Sequence, residues 1–123
     1  MRIYAYFIMN DRVYEQSAQY FKALAHPARL RILVALRYGE QCVCHLEALL
    51  NKPQAYVSQQ LAILREAGLV QDRKEGQRVY YAITDRRLLP ILDEFVGEVW
   101  SRAPMYERLP TCRCPACRTA MAA

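Results

Sequence analysis

Cysteine is the residue type in this sequence best able to carry chemistry. The five cysteines form two tight groups, an internal pair and a C-terminal trio: Cys42 and Cys44, then Cys112, Cys114 and Cys117. An odd number in two clusters argues against a disulfide framework and favours thiolate chemistry in a reducing compartment. Because thiolates are soft ligands that select soft ions, we take all five side chains as candidate metal ligands.

The spacing of Cys42 and Cys44 constrains where a helix can begin. Residues two apart lie about 200° apart around a regular helix, so their sulfurs cannot chelate one ion from its interior. A helix start suits them better, because its unpaired N–H groups favour a thiolate. Cys42 must therefore lie at or before the cap, or a bound ion must loosen the first turn. His45 is a candidate fourth ligand, although a surface position on the helix is the plainer expectation.

Two sulfurs leave a coordination shell incomplete, and the C-terminal cysteines are the simplest source of the remainder. Twelve residues lead from Trp100 to Cys112, a reach of at most roughly 40 Å. The tail can therefore return to its own pair or cross to a second protomer. One added sulfur gives a trigonal site suited to As(III) or Sb(III), and two give a tetrahedral site suited to Cd(II), Pb(II) or Zn(II).

Other uses of the cysteines stay open. The three tail thiols can hold an ion by themselves, and Cys42 and Cys44 can serve as small buried hydrophobic residues. Three thiols within six residues of a short tail are harder to explain structurally, since exposed thiols are reactive. A thiol redox or persulfide sensor would use the same cysteines by oxidation, and a zinc-stabilised DNA-binding module would need the metal for folding.

Residues 42–68 predict two short helices joined by a tight turn at 51–53. The first carries apolar residues at the i, i+3, i+4 spacing of a buried stripe: Leu46, Leu49 and Leu50. Asn51 tolerates a left-handed cap, and Pro53 favours the first position of a new helix. The second helix is expected to end at Gly68 and to bury its own stripe: Val57, Leu61 and Leu64.

The opposite face of the second helix is suited to a major groove. It carries small and amide side chains with few acids; glutamine can pair bidentately with adenine, and small residues let the backbone come close. The expected base contacts are Ala55, Tyr56, Ser58 and Gln59. For Tyr56, packing and base contact are equally favoured. The expected phosphate or positioning contacts on this helix are Gln54, Gln60 and Arg65.

A β-hairpin is predicted for residues 69–74 and 77–83, around the turn Glu75-Gly76. In the second strand, Val79, Tyr81 and Ile83 alternate with Tyr80 and Ala82, which is the period of a strand. Its tip carries three cations, Arg73, Lys74 and Arg78, and we expect these to contact phosphates. The alternative is a solvated charged turn, but the cations cluster beside the candidate recognition helix.

Three segments together resemble the ArsR/SmtB winged-helix repressors: FKALAHPARLRILVAL, SQQLAILREAGLV and RKEGQRVYYAI. The resemblance covers roughly residues 20–100, and the preceding CVC is similar to the thiolate site of arsenic- and heavy-metal-sensing members. It implies a homodimeric repressor that leaves operator DNA on binding a metal or metalloid, and that controls a resistance operon.

The chain departs from the family's ligand patterns in three places. Arsenic-sensing relatives have a third cysteine in the motif, where this chain has Glu47. No histidine follows His45, so the zinc-sensor ligand set of the last helix is not expected, and no N-terminal cysteine is present. These departures are the reason for looking to the tail for further ligands.

The remaining segments predict helices at 12–25, from His26-Pro27 onward, and near the C-terminus. Pro90 requires either a turn before the last helix or a kink within it. That helix carries a wide apolar face: Leu88, Ile91, Leu92, Phe95, Val96 and Val99. Together with the first helix and the apolar residues 1–10, it indicates a dimer seam, the alternative being packing within its own domain.

The fold class expected is therefore mainly α with a small β-hairpin, a dimeric winged helix-turn-helix. Residues 1–100 form the DNA-binding and dimerisation domain, and residues 101–123 form a flexible, cysteine-rich tail. A chain of 123 residues with net charge +5 suits one domain and a polyanionic partner. No stretch is long enough to span a bilayer, so a cytoplasmic protein is expected. We find no nucleophile–base pair and no phosphate-binding glycine loop, which argues against an enzyme.

Overall fold

A computed structural model describes residues 11–102, with side chains described through residue 97. This part of the chain contains five helices: α1 Asp11–Leu24, α2 Pro27–Leu36, α3 Val43–Leu50, α4 Gln54–Glu66 and α5 Leu88–Arg102. It also contains three antiparallel strands in the order β1-β3-β2: β1 Gln41–Cys42, β2 Val70–Glu75 and β3 Arg78–Ile83. The predicted winged helix-turn-helix is confirmed. The predictions for residues 1–10 and for the tail cysteines lie outside the described residues.

Helix ends follow the local chemistry that the sequence indicates. His26 caps α2, its Nδ1 accepting a hydrogen bond from the Ala28 N–H at 3.1 Å, with proline at the first helical position. Asn51 ends α3 in the left-handed conformation, with φ 52° and ψ 49°. Pro53 is the extended N-cap residue of α4, one position earlier than predicted.

The predicted stripe of α4 and two of the three predicted residues of α3, Leu46 and Leu50, lie in the core, whereas Leu49 is only half-buried. Val57, Leu61 and Leu64 of α4 are completely buried, and so is Leu46 of α3. They pack with Ile32 and other core residues of α2. Burying each large apolar side chain contributes about 1.5–3 kcal/mol, so this packing fixes which face of α4 points outward.

The hairpin, here called the wing (residues 70–83), is confirmed with a shift of one residue at its turn. Glu75 pairs with Arg78, so the connecting residues are Gly76 and Gln77. Gly76 has φ +60°, a conformation that glycine adopts without a Cβ penalty. The two-residue strand β1 was not predicted, and it pairs Cys42 with Tyr80 of β3. A strand this short has no period of its own for the sequence to reveal.

The last helix begins at Leu88, which places Pro90 in the first turn, where a missing N–H leaves no hydrogen bond unmade. Leu88 and Leu92 are buried in the core, whereas Phe95 is 86% exposed. On α1, three large apolar side chains are more than half exposed: Val13, Tyr14 and Phe21. Val99 lies beyond the described side chains. No helix in residues 11–102 combines the length and apolarity needed to cross a membrane.

Candidate thiol site and nucleic-acid interface

Cys42 is the N-cap residue of α3, as the spacing argument required. Its backbone is extended, with φ −76° and ψ 154°. Its Sγ accepts a hydrogen bond from the His45 N–H at 3.2 Å, so the sulfur satisfies one of the unpaired donors of the first turn. The residue is only 3% exposed, and its strand β1 pairs with the wing. A chemical change at this sulfur can therefore affect both the start of α3 and, through β1, the wing.

Cys44 lies in the first turn of α3, and in the structure its sulfur is joined to that of Cys42 in a disulfide. This bond differs from the expectation of two thiols. The extended backbone of Cys42 turns its side chain to the side on which Cys44 points, leaving their Cα atoms 5.4 Å apart. The same convergence would let both sulfurs bind one soft ion when they are reduced.

The described residues supply only part of a metal site. Within residues 11–102, no group of three or more histidine, cysteine or acidic side chains is arranged to hold an ion. Two sulfurs therefore fit a thiophilic ion as a partial ligand set, and further ligands must come from elsewhere. Cys112, Cys114 and Cys117 lie outside the described residues.

His45 corrects one expectation. Its side chain was expected on the surface of α3, but the residue is 2% exposed and lies in the interior. It follows Cys44 directly in the first turn of α3, next to the buried Leu46. The expected surface position of His45 is therefore wrong.

A cavity of about 240 Å³ lies beside the two sulfurs, and we call it the thiol cavity. Its polar lining comes from α3, from the start of α4 and from the wing: Cys42, Cys44, Glu47, Gln54, Ser58 and Arg78. The Nη1 of Arg78 donates to the Sγ of Cys44 at 3.6 Å. The structure thus brings predicted metal ligands and predicted DNA contacts to the walls of one cavity.

Four predicted contacts form an exposed surface on α4, here called the reading face: Gln54, Ala55, Ser58 and Gln59. The first turn of α4 contains no acidic residue. Tyr56 is half-buried against the core, with the Lys52 ammonium 5.5 Å from its ring centre. Contacts within the protein therefore cover part of the Tyr56 ring.

Gln60 is the exception among the predicted contacts on α4. It is 7% exposed, and its Oε1 accepts a hydrogen bond from Arg29 Nη1 at 2.9 Å. Arg29 also donates from Nε to the Ala23 carbonyl at 2.6 Å. Gln60 therefore connects α4 to α2 and to the end of α1, and its burial removes it from the phosphate contacts.

Arg73 of the wing is already paired within the protein. Arg73 forms ion pairs with Glu40 at 2.6 Å and Glu75 at 2.9 Å, and its guanidinium lies 4.8 Å from the ring centre of Tyr80. The hydrogen bond from Arg73 holds the pKa of Glu40 below its usual value, and the two carboxylates raise the pKa of Arg73. Lys74 is exposed beside it.

Arg65, the last predicted contact, lies at the end of α4. It pairs with Asp72 of β2 at 3.5 Å, and both side chains are nearly half exposed. This pair joins the recognition helix to the wing.

Sequence reasoning missed Arg29 and Glu40, which position predicted residues. Arg29 lies 31 positions from Gln60, and no local pattern indicates such a contact. The helical period could have placed Gln60 inside, because Gln60 falls between Val57 and Leu64 on the buried stripe, but it was predicted as a phosphate contact. Nothing in the sequence around Glu40 indicates that it pairs with Arg73, apart from the opposite charges of the two residues.

Comparison with known proteins places this geometry in a family. Residues 26–72 match the model described as "Bacterial regulatory protein, arsR family". A "Transcriptional repressor SmtB homolog" of Synechocystis sp. is 42% identical over 80 residues, which is 65% of this chain and 61% of that protein. The "Arsenical resistance operon repressor" of Escherichia coli K12 is 46% identical over 67 residues, 54% of this chain and 57% of that protein. The chain thus spans less than two thirds of either relative.

One solved structure matches a larger share of this chain than either of these relatives does. The homodimeric winged helix-turn-helix DNA-binding domain of Mycobacterium bovis superposes with a TM-score of 0.64 at 32% identity. The match covers 75% of this chain and 88% of that one. These relatives are transcriptional regulators and not enzymes, as the sequence predicted. From its helix-turn-helix pair, its wing and these matches, the chain belongs to the ArsR/SmtB family of winged helix-turn-helix regulators.

Proposed function

We propose that this chain is a homodimeric transcriptional repressor that leaves its operator when a thiophilic ion binds Cys42 and Cys44. The observation that carries the proposal is the shared cavity, in which both sulfurs lie beside Gln54 and Ser58 of the reading face. A ligand at the sulfurs would therefore share this cavity with Gln54 and Ser58, two side chains proposed to contact DNA. Ala55, Ser58 and Gln59 of the reading face contact bases. The phosphate or positioning contacts are Gln54, Arg65, Arg73, Lys74 and Arg78.

The dimer forms through α1 and α5. Phe95 of α5 and three residues of α1 expose large apolar surfaces that a second copy would cover: Val13, Tyr14 and Phe21. The Mycobacterium bovis relative is homodimeric. A two-fold dimer presents two copies of α4 to an operator of matching symmetry, which raises affinity and fixes the spacing of the half-sites.

As(III) or Sb(III) is the inducer that the donor set favours. Cys42 and Cys44 supply two soft donors, and one tail cysteine, from Cys112, Cys114 and Cys117, completes a trigonal shell. Two tail cysteines would instead suit Cd(II), Pb(II) or Zn(II). The Escherichia coli relative is an arsenical resistance operon repressor, which supports the metalloid.

Release follows from the position of Cys42. Its sulfur accepts the His45 N–H, and an ion bound to both sulfurs would weaken this hydrogen bond by drawing electron density from the sulfur and by pulling it out of line with the donor. The cap of α3, which typically contributes about 0.5–2 kcal/mol, is then weakened, and α3 leads through the turn at Asn51 into α4. A disturbance of this size is comparable with typical coupling free energies of about 1–3 kcal/mol, or roughly 5- to 150-fold in affinity.

The test is DNA release from the reduced, full-length protein. The probe is a fluorescent duplex selected from a random pool by that protein, titrated with arsenite, antimonite, Cd(II), Pb(II) and Zn(II) while anisotropy is followed. We expect release at about one arsenite per site. Release only by the divalent ions would replace the three-sulfur site with a four-ligand one, and no release by any ion would overturn the proposal.

Two variants assign the ligands. Cys44→Ser is expected to bind DNA as the parent does and to resist arsenite, because one of the two paired sulfurs is gone. Removal of residues 111–123 is expected to weaken the response while leaving DNA binding intact. Unchanged induction in Cys44→Ser would exclude the internal pair as the sensor, and an unchanged response after truncation would exclude the tail.

The disulfide between Cys42 and Cys44 favours a second candidate, a thiol redox repressor. In that reaction the two thiols lose two electrons and two protons to an oxidant such as diamide, and one S–S bond forms. Treatment with diamide in the presence of a chelator would then release DNA, and dithiothreitol would restore binding. Release in Cys42→Ser as well would exclude this internal bond as the switch.

A further inference from the structure

A polar contact on the packed side of α4 joins the recognition helix to α1. Gln60 is 7% exposed, and the other buried residues of α4 are apolar: Val57, Leu61 and Leu64. The Oε1 of Gln60 accepts a hydrogen bond from Arg29 Nη1 at 2.9 Å. The same guanidinium donates from Nε to the Ala23 carbonyl at 2.6 Å and from Nη2 to the Lys22 carbonyl at 3.3 Å. One side chain of α2 thus holds both the recognition helix and the last turn of α1.

We propose that Arg29 is a positioning residue that, through Gln60, fixes the direction of the reading face relative to α1 and so sets the half-site spacing that the dimer accepts. This inference rests on the proposed homodimeric repressor and names a determinant of its operator specificity. Neither residue contacts DNA in this role. The role concerns where the base contacts point, and not which bases they recognise.

The hydrogen bond constrains α4 in a way that its apolar packing does not. Burial of apolar surface is non-directional, whereas a hydrogen bond requires a narrow range of distance and angle. A single buried polar residue can likewise fix the register of a coiled coil. Gln60 directly follows Gln59, whose side chain projects about 100° away around the helix. Holding Gln60 in place therefore also fixes the direction in which Gln59 points.

The end of α1 is a suitable reference for that direction. Lys22 and Ala23 lie in its last turn, where carbonyls have no partner within a regular helix and attract a cation. Arg29 is half-buried, and its bonds to Ala23 and Gln60 are partly shielded from solvent. The same helix carries exposed apolar residues that the proposed dimer covers: Val13, Tyr14 and Phe21. The contact therefore ties each reading face to a helix through which the two protomers join.

Half-site spacing is the property of the operator that this arrangement would read. Adding one base pair between two half-sites moves them apart by about 3.4 Å and turns one by about 35° around the duplex. Two rigidly held reading faces cannot follow such a shift without losing contacts at one half-site. Faces released from α1 adjust to the shift, but they bind the original spacing less tightly because they must be ordered on binding.

Operators with altered spacing test this role directly. A two-fold symmetric duplex selected by the full-length protein is remade with its half-sites one base pair closer and one base pair farther apart. Anisotropy titrations of the reduced protein give the ratio of affinities for the selected and the altered spacings. Gln60→Met keeps the side-chain length but removes the acceptor, whereas Gln60→Glu keeps an oxygen acceptor. Arg29→Lys keeps the charge without the planar fork, and Gln71→Met, at an exposed glutamine of β2, is the control.

The expected result is a loss of spacing discrimination without a general loss of DNA binding. In Gln60→Met the ratio falls by about five-fold, which is within the contribution of one hydrogen bond. Arg29→Lys also lowers the ratio, because an ammonium lacks the fork that spans α1 and Gln60. Gln60→Glu keeps the ratio within about two-fold of the parent, since a carboxylate accepts from the guanidinium. Gln71→Met leaves it unchanged.

Three outcomes would contradict these expectations. Equal losses at all spacings in Gln60→Met would make Gln60 a packing residue and overturn the inference, with the repressor function intact. The same fall in Gln60→Glu as in Gln60→Met would also overturn it, because the acceptor would then not matter. A parent protein with no preferred spacing would overturn the proposed dimeric operator complex and this inference with it. Thermal melts identify a misfolded variant, and if Gln60→Met is misfolded, Arg29→Lys carries the comparison.

Discussion

The reading face of α4 and the wing differ in what their side chains do in the folded protein. Gln54, Ser58 and Gln59 are exposed, on a helix whose other face is completely buried. The wing cation Arg73 already pairs with two carboxylates. Under the proposed function, DNA adds contacts on α4, whereas a phosphate contact by Arg73 replaces existing ones. Substitutions on α4 should therefore cost affinity more directly than substitutions of paired wing residues.

The largest effect is expected on the buried side of α4. Leu61→Ala removes a completely buried side chain, and we expect the free energy of unfolding to fall by about 2–5 kcal/mol. DNA affinity should fall only as far as the folded fraction falls. Urea denaturation measures the first quantity and anisotropy the second. Ile63→Ala, at a position 38% exposed on the same helix, is the matched control, and an equal loss there would contradict the packing described.

On the reading face, Gln59→Ala should weaken binding to the selected duplex by about 1–3 kcal/mol. Binding to a scrambled duplex should change little, because an amide that reads a base edge contributes nothing to phosphate attraction. Thermal stability should not change. Gln71→Ala, an exposed glutamine on β2, is the control. Equal losses on both duplexes would remove Gln59 from the base contacts.

On the wing, Glu40→Gln should strengthen DNA binding by a few fold, at most about five-fold. The substitution removes the carboxylate that pairs with Arg73 and so lowers the cost of transferring that guanidinium to a phosphate. The increase should shrink at high salt, where exposed ion pairs are screened. Weaker binding in Glu40→Gln would mean that the ion pair positions Arg73 instead of competing with DNA.

The smallest effect is expected at an ion pair outside both regions. Asp85 accepts hydrogen bonds from the Arg87 side chain and backbone, which lower the pKa of its carboxyl from 3.8 to about 2. A depressed pKa in the folded state stabilises the protein above the unfolded value of 3.8, and this contribution is lost as the pH falls toward about 2.

Asp85→Asn should therefore lower the melting temperature slightly at pH 6, and the difference should shrink as the pH falls through about 2, with DNA affinity unchanged at neutral pH. Melts of parent and variant across this range measure the difference. A difference that grows toward low pH would contradict the assigned partner. The result also provides a baseline for an ion pair that has no role in DNA binding.

Periodic features could be predicted from the sequence, and long-range contacts could not. The stripes of α3 and α4 and the alternation of β3 each repeat within a few residues, so the helix pair and the hairpin were found. Cys42 at the cap is one of the two arrangements that its spacing to Cys44 allowed for two sulfurs on one ion. The burial of His45 and the pairing of Glu40 with Arg73 depend on segments that meet only after folding.

Gln60 is a residue whose burial the helical period indicates but which was predicted to be exposed. Its polar side chain placed it with Gln59, although its position on the helix places it with Val57 and Leu64. A buried amide needs a hydrogen-bonding partner, and Arg29 supplies one from another helix. Residue type and helical position disagreed here, and position was the better guide.

The division of α4 into a packed face and a reading face has a consequence for how such a regulator can be retargeted. Ala55 and Gln59 are exposed and do not line the thiol cavity. Under the proposed function, exchanging them should change the preferred operator at little cost in stability and without altering the walls of that cavity. Such variants would pair one inducer with several promoters.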